Sequence, residues 1–101
     1  MLRLPIRRKW FNMIESGQKK EEYREIKGYW SRRFFLAGLL NGDGTPSGKS
    51  VEALLINGYH KNAAALACKV SLSIGPGKNA WGAVPGKDYY RLEILARKRV
   101  R

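Results

Sequence analysis

The chain has 101 residues, of which 20 are Lys or Arg and 8 Asp or Glu, a formal charge of +12 at pH 7, with 44% apolar residues. One hydrophobic core fits this length and a second domain does not, so residues 1–101 are predicted to form a single domain. No apolar run nears the roughly 20 residues of a membrane helix, one cysteine excludes an internal disulfide, and one histidine excludes a multi-histidine metal site.

At the start of the chain Arg3, Arg7, Arg8 and Lys9 surround only a few apolar residues. No secretory signal is expected there, and together with the lone Cys68 this suits a soluble protein of the reducing cytoplasm. Trp10, Phe11, Met13 and Ile14 recur at helical spacing, and Gly17 stands where a left-handed cap is needed, which predicts a helix over 7–16. Lys19 to Ile26 loses that period and reads as an extended segment. Tyr29, Trp30, Arg33 and Phe34 mark a second helix running toward Gly38, and Asn41 to Ser50 is a loop rich in Gly, Pro, Asp, Asn and Ser.

Val51 to Asn57 is a short apolar run ending at Asn57-Gly58, a buried strand entering a turn. Ala63 to Leu66 either adds a turn of helix or starts the next strand. Val70, Leu72 and Ile74 alternate with Lys69, Ser71 and Ser73, and Tyr90, Leu92 and Ile94 alternate with Arg91 and Glu93, giving two half-buried strands. Between them Gly75 to Lys87 is an irregular connection around Trp81. The expected fold class is α+β: a curled, mixed sheet of about four strands with two helices on its side or end.

The excess of positive charge favours anionic partners, the phosphates of nucleic acids in particular. Charge gathers at Arg7, Arg8 and Lys9 and in a basic tail over 97–101, whereas Glu15, Glu21, Glu22 and Glu25 lie among Lys19, Lys20, Arg24 and Lys27. Several motifs fail on inspection. Gly48-Lys49-Ser50 resembles the end of a P-loop, but the motif's first glycine falls on Asp43. Cys68 and His60 make no credible zinc site, a buried thiol suits Cys68 better than catalysis, and no metal or cofactor is predicted. Glu21 and Glu22 are adjacent, hence on opposite faces of a strand, and their basic neighbours would depress their pKa values, which suits neither for general acid work.

One motif holds. Gly17-Gln18-Lys19-Lys20-Glu21-Glu22-Tyr23-Arg24 matches Gly-x-Lys-x-x-Glu-x-Arg at all four fixed positions. The stretch Lys9 to Phe35, followed by Ile56-Asn57-Gly58-Tyr59, Trp81-Gly82-Ala83 and Tyr89 to Leu95, resembles the ASCH domain of the PUA-like superfamily. The resemblance covers most of the chain outside the Asn41 to Ser50 loop and the tail. It implies a small mixed β-barrel with flanking helices, an electropositive cleft beside the motif, and a role in RNA or other nucleic-acid chemistry.

The motif also has a reading of its own. Glu22 and Arg24 lie two apart on one face of a strand, so they can pair and hold the guanidinium as a fixed fork toward a phosphate or a base edge. Lys19 has the opposite parity and sits at the strand's start, where it supplies a point charge for phosphate or a partner for Glu22. Tyr59 and Trp81 sit on turns where a ring can stack on an unpaired base. Of these two, one is expected in the core, with Tyr59 the ligand contact and Trp81 the plug; Trp10, Trp30 and Phe34 are expected in the core. Asn57 either reads a Watson-Crick edge or closes its turn.

Two functions follow. The first is binding of RNA or a modified nucleotide through Lys19, Lys20, Glu22, Arg24, Asn57, Tyr59 and Trp81, with no catalytic residue assigned. The second is a small hydrolase. Some ASCH proteins act on acylated cytidine with a threonine nucleophile at the position of Glu22, but the sole threonine here is Thr45 in the loop, and a carboxylate cannot take that part. A metal-independent ribonuclease, in which Lys19 and Tyr59 would position and polarise a phosphate or 2′-hydroxyl, is the better form of this alternative.

Overall fold

The computed structural model describes residues 1–101 as β1 (Leu2–Ile6), α1 (Arg8–Glu15), β2 (Glu21–Arg24), α2 (Gly28–Leu36), β3 (Ser50–Asn57), β4 (Ala65–Pro76), a 3-10 turn (Asn79–Trp81) and β5 (Asp88–Arg99). The strands form one mixed sheet in the order β1-β3-β4-β5-β2, with β1 parallel to β3 and every other pair antiparallel. The sheet curls into a half-barrel with two helices, an α+β fold. Part of the curl comes from the long β4–β5 pair. Its register shifts between Lys69 and Val70, where Lys69 faces Ala96 and Val70 faces Ile94, leaving Leu95 as the extra residue of a bulge that bends and twists the strands.

Alternation along the strands sends one set of side chains into the hollow of the sheet. Leu2, Leu4 and Ile6 of β1, Ala53 and Leu55 of β3, Leu66, Cys68, Val70 and Leu72 of β4, and Tyr90 and Leu92 of β5 meet Phe11 and Ile14 of α1 and Phe34 of α2 in one buried cluster. Each such side chain stabilises the fold by about 1.5–3 kcal/mol for a Val, Leu, Ile or Phe taken out of water. α1 ends as predicted: Gly17 has φ of +86°, and an added Cβ would lie 2.7 Å from a guanidinium nitrogen of Arg97.

Both expected helices form, and so do the expected strands, with β4 starting at Ala65 in place of a helical turn. One strand was not expected. β1 alternates apolar Leu2, Leu4 and Ile6 with Arg3 and Pro5, a pattern masked by the basic residues around it. Proline removes a ladder donor, but β1 pairs only with β3, and Pro5 turns its missing N–H toward the free edge. The basic tail continues the sheet: β5 runs to Arg99, Val100 N–H donates to Ala65 O at 3.0 Å, and the Arg99 guanidinium meets Glu15 at 2.6 Å. No helix is long and apolar enough to cross a membrane.

Candidate functional site

β1 and β2 are the two edges of the sheet, and the curl brings them within the reach of one side chain. Glu22 and Arg24 stand opposite Leu92 and Tyr90 of β5, so both point inward. Arg24 donates to Glu22 Oε2 at 2.6 Å and to its neighbour Tyr23 O at 2.9 Å, then reaches across the gap to Pro5 O of β1 at 2.9 Å. A guanidinium thus fastens the edges that no strand pairing joins, which also covers part of an otherwise open edge.

Behind this clasp lies Lys19, only 1% exposed. Its ammonium sits 3.0 Å from Glu22 Oε1 and donates to Trp81 O at 2.8 Å, with the rings of Trp10 and Tyr23 at 5.2 and 4.7 Å. Burial pushes the Lys19 pKa below its usual 10.5, opposed by the Glu22 charge. Glu22 therefore bridges two cations while itself only 6% exposed. Nearby, the Tyr23 hydroxyl donates to Glu21 at 2.8 Å and accepts the Lys78 N–H at 2.9 Å. Burial pushes its pKa up to about 12.

Along the open seam runs a cleft of about 1340 Å³. Arg3, Arg7, Arg24, Lys27, Arg33 and Lys87 line it against two carboxylates, Glu22 and Glu25. Trp10, Tyr29, Trp30, Tyr59 and Trp81 add aromatic surface. Several rings already carry a cation: Arg24 and Arg33 lie 5.0 and 5.2 Å from the Trp30 centroid, Lys9 lies 4.7 Å from Trp10 and Lys78 lies 4.3 Å from Trp81. Residues Arg7 and Lys27, which precede α1 and α2, both line this cleft, and neither helix has an acid in its first turn or a side-chain cap.

Of the predicted site residues, Glu22, Arg24, Tyr59 and Trp81 line the cleft, while Lys19, Lys20 and Asn57 do not. Lys19 is consumed by the motif, taking the Glu22 partnership in place of an open phosphate contact. Lys20 projects into solvent outside the cleft, and its carbonyl accepts the Ile94 N–H. The Asn57 N–H closes its turn onto Ala64 O at 2.9 Å. Neither Tyr59 nor Trp81 is a core residue: Tyr59 is 90% exposed and Trp81 is half-buried. Phe34 is buried as expected, but Trp10 and Trp30 are half-buried, packing one side on the core and turning the other to the cleft. The apolar stripes of these short helices are wider than the core they cover.

The sequence reading missed Arg3, Arg7, Tyr29 and Arg33 as cleft residues. The period-2 alternation of β1 was the signal for Arg3, which shares a face with Pro5 and Arg7. No group of three or more His, Cys, Asp or Glu side chains is placed to hold a metal ion. Cys68 is buried, and desolvation pushes its thiol up to about 11. No protein-family model matches the chain, and no curated protein or solved structure matches it.

Proposed function

We propose that the chain is an ASCH-like domain of the PUA-like superfamily, a cytoplasmic protein that binds RNA or a modified nucleotide in the seam cleft. The observation that carries this reading is the lining of the cleft, where six cationic side chains stand among aromatic rings at the open edge of the sheet. Phosphates are drawn by such charge, and unpaired bases stack on exposed rings. Tyr59 is the ring most open to a base, being 90% exposed and without a cation over its face. The Gly17 to Arg24 motif and the curled sheet with its two helices support the family assignment. No observation favours the hydrolase, since Tyr59 lines the cleft and Lys19 does not.

The test is a fluorescence-anisotropy titration of a short labelled single-stranded RNA, with heparin as the competing polyanion. Tyr59→Ala is expected to weaken RNA binding roughly 5- to 150-fold, the loss of one stacked base, while leaving heparin binding in place. Equal affinity for RNA and heparin, with no effect of Tyr59→Ala, overturns the proposal.

A further inference from the structure

The six cations of the cleft differ in what already holds them. Lys27 and Lys87 share Glu25 at 3.2 and 3.6 Å, and Arg24 is bound to Glu22 at 2.6 Å. None of the five ion pairs of the protein includes Arg3, Arg7 or Arg33. An anion approaching the β2 side meets the carboxylates of Glu22 and Glu25 along with their cations. On the β1 side it meets cations alone.

These three arginines are also placed together. Arg3, Pro5 and Arg7 alternate along extended backbone, so their side chains share a face, and a rise of about 3.3 Å per residue spreads Arg3 and Arg7 over roughly 13 Å. Arg33 reaches from α2 to the same strand. One of its nitrogens donates to Arg3 O at 2.9 Å, its centre lies 5.2 and 5.8 Å from the Trp30 and Tyr29 rings, and its other nitrogens meet no acceptor in the protein. A guanidinium held by a carbonyl and by aromatic rings has lost part of its freedom before any ligand arrives, and its open donors fit the oxygens of a phosphate.

We infer that Arg3, Arg7 and Arg33 form the phosphate seat of the cleft, so that its ligands are phosphate-bearing nucleotides and not bare nucleosides. This rests on the nucleic-acid reading above and adds which wall takes the phosphate. The shared chemistry has two sources, a terminal phosphate and the diester of a strand.

Tryptophan fluorescence tests it, through Trp30 beside Arg33. Uridine, uridine 5′-monophosphate and the dinucleotide UpU are titrated at low salt into the wild type, Arg3→Ala/Arg7→Ala, and Lys69→Ala/Lys98→Ala. The Arg3 and Arg7 side chains make no hydrogen bond within the fold, and the lysine pair removes the same charge from exposed positions outside the cleft. The expected result is a preference of ~10-fold or more for a phosphate-bearing ligand over uridine, lost in the arginine variant and retained in the lysine variant. With single-stranded RNA, the arginine variant should flatten the log–log salt slope by about 1.4, the share of two phosphate contacts. A preference for the monophosphate assigns the seat to terminal phosphates, and one for UpU assigns it to diesters. If Tyr59-dependent RNA binding stands but the preference survives in the arginine variant, or falls equally in both variants, the phosphate seat is overturned alone. If the wild type binds neither RNA nor nucleotide, the nucleic-acid reading fails and the seat with it.

Discussion

The motif cluster of Lys19, Glu22 and Arg24 and the wall of Arg3, Arg7 and Arg33 flank one seam, Lys19 buried behind it, and their charges are spent differently. In the motif, Glu22 joins both cations, and the remaining bonds of Lys19 and Arg24 run to the carbonyls of Trp81, Tyr23 and Pro5. On the wall, one guanidinium touches one carbonyl and the other two touch none. The charged residues of the recognisable motif thus hold the sheet edges together, while the arginines that no carboxylate holds belong to no such motif. A buried charge must be matched within the protein, whereas an exposed one is free to wait for a partner.

Breaking the motif at its most buried point should have the largest effect. Lys19→Ala leaves the Glu22 carboxylate buried with one partner fewer and strands Trp81 O, at an expected cost of about 3–5 kcal/mol. Lys19→Met restores the volume but not the donors, so its loss should be smaller and still clear. Urea midpoints measure both, and an unchanged midpoint for Lys19→Ala would show that the lysine is not part of the framework.

Arg24→Ala comes next, at about 2–3 kcal/mol, because its guanidinium is less buried, with a side-chain exposure of 15%. Arg24→Lys should recover little. A single ammonium cannot reach Glu22, Tyr23 O and Pro5 O together, so the link to β1 is lost in either variant. Faster amide exchange in β1 in both variants is the accompanying sign; full rescue by lysine would contradict the clasp.

The ease with which each region can be read from sequence follows from the range of its interactions. Val70, Leu72 and Ile74, like Tyr90, Leu92 and Ile94, declare their strands through local alternation, and Gly17 declares the end of α1. The pairing of Glu22 with Arg24 is local too, since residues two apart on a strand share a face. The burial of Lys19 is not local: it needs the carbonyl of Trp81, 62 residues away, brought over β2 by the connection between β4 and β5. Trp10 and Trp30 present a similar difficulty, because helical spacing shows which face of a helix is apolar but not how far the core extends beneath it. Arg33 joins the β1 wall only through its reach to Arg3 O, across 30 residues.

The smallest expected effect concerns pH and separates the motif from Tyr23 beside it. Tyr23 keeps its proton to about 12 in the folded state against an ordinary 10.0, burial being the main cause. Between those values the folded chain binds more protons than the unfolded chain, so the contribution of Tyr23 to stability is present below pH 10 and is lost as pH rises toward 12. Lys19 has the opposite sign. Its folded pKa lies below 10.5, so between that value and 10.5 the unfolded chain binds more protons, and its contribution becomes more favourable as pH rises. Tyr23→Phe removes only the falling contribution. The stability difference between wild type and Tyr23→Phe should therefore be flat up to about pH 9 and narrow steadily above pH 10, as read from urea midpoints at a series of alkaline pH values. A difference that stays flat to about pH 11 would show that the Tyr23 hydroxyl ionises as it does in water, and that burial and the contact to Glu21 do not hold its proton.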